Sequence, residues 1–264
     1  MAPMHPRLTS PLFAALLLPA LALFAVPQAD ARTPGERPWL SLGVATLFPT
    51  SPYRGIDIPE PTTLPFVNWE GERFHLRGIQ AGYRLNASRR FPLSIYLRPR
   101  LQGYTSDDSD ALAGMDTRHN SVDGGLQFTA NLTRRWYINA RAALDVLGVH
   151  RGHVSELTLN HRWPVSERLM LSPGIGAEWQ SRQLVDYYYG VEQDEVDDPD
   201  RPTYDGDAVR NTQASLGMNY RLTHSLSLFG QTRLSRLDAP IRDSPLVDRD
   251  HELSGLIAVI ISFD

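Results

Sequence analysis

The feature that most constrains this chain is its last strand-like segment, Glu252 to Phe263. Leu253, Ile257, Val259, Ile261 and Phe263 share one parity there, and the sequence ends one residue later. Successive side chains of a strand point to opposite faces, so this pattern describes a strand with one apolar face. Segments of this kind recur along the chain, each about the length that crosses a bilayer at a tilt of about 45°. The pattern predicts an all-β fold, a transmembrane antiparallel β-barrel of the bacterial outer membrane.

The upstream segments support this. Trp39 to Phe48 places Leu40, Leu42, Val44 and Phe48 on one parity, and Thr62 to Trp69, less regular, offers Leu64 and Phe66 as its lipid-facing pair. Pro92 to Tyr104 puts Leu93, Ile95, Leu97 and Leu101 outward and Arg98, Arg100 and Gln102 toward a lumen. Val122 to Leu132, Trp136 to Leu147, His153 to Trp163, Leu169 to Gln180, Thr212 to Leu222 and Leu226 to Arg236 alternate in the same way. None has the 3.6-residue period of an amphipathic helix. Trp163 and Trp179 end two of these segments, at interface height.

Connections alternate in length. Short ones fall at 86–90, 133–135, 166–168 and 223–225, and long ones at 106–120, 182–211 and 238–251. Short periplasmic turns and long external loops are the habit of outer-membrane barrels, and a soluble sandwich has no reason to sort them so. With both termini in the periplasm the strand number is even. The segment Arg73 to Leu85 read as one strand would give eleven, but its phase slips at Gly78, with Phe74 and Leu76 on one parity and Ile79, Ala81, Tyr83 and Leu85 on the other. A chain reversal at Gly78 gives twelve strands, and ten is the alternative.

The N-terminus reads as a secretory signal over 1–31. Arg7 precedes an apolar run from Leu12 to Val26, Ala29-Asp30-Ala31 fits a small-x-small cleavage site, and the barrel then occupies 32–264. A membrane helix is disfavoured because the run is shorter than the ~20 residues a span needs. The chain has no Cys, which excludes disulfides, thiol nucleophiles and thiolate metal sites. All 26 basic residues are Arg. The net charge of -4 and 42% hydrophobic content would pass for a soluble protein, as alternating lipid and lumen faces average out.

Several blocks match a known family in order. Leu40-Ser41-Leu42-Gly43-Val44, Ser51-Pro52-Tyr53-Arg54-Gly55, Leu64-Pro65-Phe66-Val67-Asn68-Trp69 and Arg73-Phe74-His75-Leu76 come first. Asp107 to Leu112, Tyr187 to Val191 followed by Pro202-Thr203-Tyr204, and Asp243 to Val247 come later. Together they resemble the MltA-interacting protein (MipA/OmpV) family of outer-membrane proteins. The resemblance implies a Gram-negative outer-membrane barrel and a scaffold role, joining a lytic murein transglycosylase to a penicillin-binding murein synthase. It also implies contact with outer-membrane lipid, lipopolysaccharide and the barrel-assembly machinery, the last through the terminal aromatic Phe263. Two departures are Asp264 after that aromatic and the hairpin Glu70-Gly71-Glu72.

No catalytic set, cofactor site or nucleic-acid surface is expected. Ser155 and Glu156 near His150 and His153 offer hydrolase-like residue types, but no Gly-x-Ser-x-Gly elbow accompanies them, and His150 and His153 read as solvated loop residues. A lipid hydrolase is the minor alternative. The acidic loop Asp194 to Asp207 could offer oxygen ligands to Ca²⁺ but lacks EF-hand spacing, so no metal site is assigned. Tyr187, Tyr188 and Tyr189 read as an interfacial belt or loop base. The lumen is expected to carry Arg98, Arg100, Arg141, Asp145, Glu156, Glu178, Arg221 and Arg233, paired across strands in a plugged interior. The alternative function is a narrow, Arg-lined channel for anions or small solutes.

Overall fold

The computed structural model describes residues 39–48, 50–56, 61–196 and 201–263. The expected signal segment over 1–31 lies outside the described residues. Among the described residues there are twelve strands: β1 (Trp39–Phe48), β2 (Thr62–Glu70), β3 (Phe74–Arg77), β4 (Gln80–Arg84), β5 (Leu93–Arg100), β6 (Ser121–Asn131), β7 (Trp136–Asp145), β8 (His153–His161, resuming at Trp163–Pro164), β9 (Leu169–Gln180), β10 (Val209–Arg221), β11 (Leu226–Arg236) and β12 (His251–Phe263). Each pairs antiparallel with the next, and β12 returns to β1 in a register from Leu40↔Phe263 to Phe48↔Gly255. Closure leaves the sheet as a ring. In hydrocarbon an unpaired backbone group costs several kcal/mol, so only helices and closed barrels can span it.

The outward parity is apolar and uncovered. Ile175, Leu144 and Phe74 are each more than half exposed, as are Leu97 and Val44. Such a continuous apolar surface would be an aggregation liability in water, and it is what lipid requires. Aromatic side chains collect near the short-turn end, with Trp69, Phe74, Phe91, Trp136, Trp163 and Phe263 all exposed. His161 lies on the same outward face with its ring tilted against that of Trp136, the centroids 4.5 Å apart. The short turns mark this end as periplasmic.

The phase slip at Gly78 is a reversal. Gly78 (φ 58°) and Ile79 turn the chain between β3 and β4, so both halves keep their apolar residues outward. This hairpin is much shorter than its neighbours, β3 having four residues and β4 five. Above it, no ladder joins β2 to β5 among the described residues. Two prolines fit that gap. Gly78 N–H donates to the Val67 carbonyl and Leu85 N–H to the Leu93 carbonyl, so odd residues of both flanking strands aim their backbone groups at the hairpin side. Pro65 and Pro99 therefore point their N–H-less nitrogens into the gap, where proline removes no ladder bond.

One strand assignment is corrected. Leu64 and Phe66 face the interior, not lipid, and Phe66 is only 3% exposed. They pack with Ala45, Leu47, Phe229, Leu256, Ala258 and Ile260, an apolar sector of the inner wall. Leu101, expected outward, also leans on this sector, because the chain leaves β5 after Arg100.

Candidate functional site

The lumen is built in three layers. At the periplasmic end a vestibule of about 440 Å³ is lined by Trp39, Asn68, Tyr137, Arg162, Arg168, Arg221, Phe229 and Ile260, among others. Arg162 lies over the Tyr137 ring at 4.1 Å and donates to Asn131 Oδ1 at 3.0 Å. Arg221, on the lumen parity of β10 but exposed at its periplasmic end, donates to the Glu167 carbonyl at 2.6 Å. The adjoining short turns bear Arg73, Arg89, Arg90, Arg134, Arg135 and Arg168 against Glu72 and Glu167, so this rim is strongly basic.

Above the vestibule, charged side chains form a belt across the barrel. Arg141 pairs with Glu156, which Arg233 also approaches at 3.6 Å. Arg100 and Arg98 converge on Asp123 at 2.8 and 3.3 Å. At the periplasmic end of the wall, below this belt, Glu70 holds Arg77 at 2.5 Å and also pairs with Arg84, which donates to the carbonyls of the 71–72 turn. A buried charge without its partner would be costly, and the strand register supplies the partners directly: Arg98 faces Asp123 across β5 and β6, and Arg141 faces Glu156 across β7 and β8. Within the belt the lumen narrows to a cavity of about 30 Å³, far smaller than the vestibule below. Glu178, the cross-strand partner of Glu156 on β9, accepts a hydrogen bond from Gln180 at 2.6 Å.

The third layer is a cap made by the long loops. Helix α1 (Arg182–Tyr189) lies inside it with Leu184, Val185 and Tyr188 fully buried, and α2 (Ala239–Arg242) contributes Ile241. Tyr53, Tyr104, Leu112, Met115, Val191, Leu246 and Val247 from four other loop segments complete its core. Hydrogen bonds cross between loops: Tyr53 Oη donates to the Tyr188 carbonyl at 3.1 Å, Gln102 to Tyr189 Oη at 2.8 Å and Ser244 Oγ to the Tyr189 carbonyl at 2.7 Å. Burial, reinforced by the neighbouring Tyr189, pushes the Tyr53 hydroxyl well above its ordinary range. Gly152 lets the 146–152 loop touch α1, since a Cβ there would sit 2.7 Å from Leu184 N.

These placements correct several sequence readings. Tyr188 and Tyr189 form the cap core rather than an interfacial belt, and Tyr187 packs edge-on against Tyr188 at 4.9 Å. His150 is buried, not solvated: its Nδ1 accepts the Gly152 N–H, and burial together with Arg100 lowers its pKa. Asp145 is less a wall charge than a loop anchor, taking the Ser121 hydroxyl and the N–H groups of Leu147, Gly148, His150 and Arg151. Ser155 shares the lipid-facing parity of Leu157 and Leu159 while Glu156 points into the lumen, so the hydrolase-like residues are dispersed. In the acidic loop, Glu195 is buried and bonded to Arg118 at 2.8 Å; residues 197–200 lie outside the described residues. Among the described residues, no three His, Asp or Glu converge as metal ligands.

Some participants escaped the sequence reading. Asp123, the acid of the upper belt, has the same parity as Gln127, Thr129 and Asn131, and that was the available signal. Glu70, Arg77 and Arg84 sit on short or irregular strands where parity alone is weak.

A closed ring of twelve antiparallel strands with an apolar outer band and a charged, capped interior defines an outer-membrane β-barrel protein. The model of the family described as MltA-interacting protein MipA matches residues 42–263, and the chain belongs to that family. Similar relatives include YiaT, an outer membrane protein of Escherichia coli (strain K12), 29% identical over 90% of this chain and 96% of the relative. The MltA-interacting protein of the same strain is 28% identical over 84% of this chain and 89% of its own length. Among solved structures, an outer membrane channel from Pseudomonas putida F1 aligns with TM-score 0.42 at 14% identity, covering 86% of this chain and 95% of that one. The NanC porin aligns with TM-score 0.41 at 9% identity, covering 83% and 98%.

Proposed function

We propose that this protein is a non-catalytic outer-membrane scaffold whose periplasmic rim docks enzymes of murein turnover, a lytic transglycosylase and a penicillin-binding synthase. The observation that carries the reading is the contrast between a sealed outer end and an accessible, arginine-rich inner end within a family named for such an interaction. A rim of exposed guanidinium groups suits carboxylate-bearing partners, because Arg offers a planar fork of donors. The test is site-specific photocrosslinking from Arg134 and Arg168 positions in native envelopes, with captured proteins identified by mass spectrometry. Capture of a transglycosylase or synthase from these positions, and not from outer-loop positions, is the expected result. Capture of the assembly machinery alone would end the scaffold reading.

A narrow channel is the second reading, favoured by the polar side chains, Asn68, Arg162 and Ser172 among them, that run from the vestibule to the belt. It requires the cap and the belt to move, and planar-bilayer conductance of the refolded barrel decides it.

A further inference from the structure

The lipid face of the barrel is not uniformly bulky. On β10, β11 and β12 the outward positions Gly230, Thr232 and Gly255 leave a slot of about 470 Å³ with apolar walls, bounded by Phe48, Leu216, Met218, Leu253 and Ile257. Register explains it. Leu216, Thr232, Gly255 and Phe48 are successive cross-strand partners, and the next outward row runs Met218, Gly230, Ile257. The two glycines thus sit side by side between ridges of large side chains. Neither position needs glycine for packing: a Cβ at Gly230 would come no nearer than 3.5 Å to another atom, and at Gly255 no nearer than 3.7 Å. The backbone there has ordinary extended dihedrals too, since positive φ angles of glycine occur elsewhere. The slot is therefore an open surface feature and not a by-product of tight strand packing.

Its height and its rim specify an occupant. Phe48 is the last residue of β1 and Leu253 lies two residues into β12, while Gly230 and Leu216 lie near the middle of their strands, so the slot runs from the outer end of the wall to its mid-height. Two outward rows further out come Arg236 and its cross-strand neighbour His251, with Arg210 on the adjacent strand lying over Trp179 at 5.6 Å. Two acids flank His251: Asp250, which His251 already holds at 2.5 Å, and Glu252, on the lumen parity of β12; Arg210 N–H, a backbone group, bonds Asp238. Arg236 is in no ion pair among the described residues, although it also faces the charge of Asp250. The six residues from Arg236 back to Gly230 span about 20 Å of strand, the reach of an extended fatty-acyl chain. We propose that this face is a specific site for a phosphorylated, multiply acylated glycolipid of the outer leaflet, one acyl chain lying in the Gly230–Gly255 slot and a headgroup phosphate on Arg236. An arginine at headgroup height recognises phosphate through paired N–H donors, and filling the slot gains the burial of acyl methylenes against protein instead of a disordered neighbour.

The test is native mass spectrometry of the mature barrel in detergent micelles, titrated with bisphosphorylated lipid A. Wild type should retain one lipid per barrel. Gly230→Leu with Gly255→Val, which fills the slot, should weaken retention about tenfold, and the milder Gly230→Ala with Gly255→Ala should fall between, keeping the test valid if the larger pair does not fold. Arg236→Gln should cost about threefold with bisphosphorylated lipid A and nothing with its dephosphorylated form. Ala142→Leu, on the lipid face of β7, should leave retention unchanged. Equal retention by the slot-filled variants, equal loss in Ala142→Leu, or a slot-dependent dimer without lipid would each overturn the proposal.

Discussion

The two ends of this barrel are built on opposite plans. The outer end is packed like the interior of a soluble domain, with α1 buried among tyrosines and leucines from its own loop and three others. The inner end is a vestibule of about 440 Å³ ringed by exposed arginines on turns of a few residues. Packing of the first kind excludes solvent and fixes the loops, whereas short, charged turns expose backbone and side chains to partners. The difference locates stability at one end and accessibility at the other, with the charged belt as the partition between them.

The strongest way to break the comparison is to breach the partition. Glu156→Ala leaves Arg141 and Arg233 buried without their carboxylate, and the cost should be about 3–5 kcal/mol, read as a lower urea midpoint of the refolded barrel in micelles. An unchanged midpoint would mean that the belt is hydrated and that the two ends communicate. Leu184→Ala should cost about 2–5 kcal/mol of cap stability and expose the outer loops to protease, while the strand core stays resistant. If loops and strands became sensitive together, the cap would be part of the barrel's own cooperative unit.

A smaller effect comes from His150, which faces Tyr187 and Tyr188 of α1, Arg100 of β5, Asp123 of β6 and Asp145 of β7. Its pKa is lowered in the folded cap by burial and by Arg100, so the unfolded cap binds the proton more readily. The stabilisation is therefore complete above the ordinary histidine value near 6.5 and is lost as pH falls from there toward the lower folded value. Loop protease sensitivity should rise on acidification from pH 7 to pH 5, and His150→Gln should flatten that profile. The smallest stability effect belongs to the inner rim: Arg134→Ala with Arg168→Ala should change unfolding by no more than about 0.5 kcal/mol per site, yet reduce crosslinked partner in a salt-sensitive way.

Parity carried much of the fold into the sequence. Leu93, Ile95 and Leu97 alternate with Ser94, Tyr96 and Arg98 because lipid and lumen demand different chemistry at each step, and the slip at Gly78 marked the turn that makes the strand number even. Parity failed at Leu64 and Phe66, since an apolar side chain records avoidance of water and not which side of the wall it chose; the apolar neighbours Ala45 and Leu47 made the inner face acceptable. The cap was illegible for a different reason. Its contacts join residues such as Tyr53 and Tyr188, 135 positions apart, and no local period encodes them. The belt lay between these cases: Arg98, Arg100, Arg141, Glu156 and Arg233 followed from lumen parity, but their pairing with Asp123 and with one another needed the register.

The short hairpin between β2 and β5 has a mechanical consequence. A closed wall resists lateral squeezing only as well as its weakest seam, and here one stave pair is four and five residues long where β9 and β10 run twelve and thirteen. Thickness fluctuations of the surrounding bilayer should therefore be absorbed at this seam, as a local flexing of Phe66 and Leu101 past each other. Pro65 and Pro99 on its two lips keep the seam from zipping shut and deny any passing strand a regular edge to join.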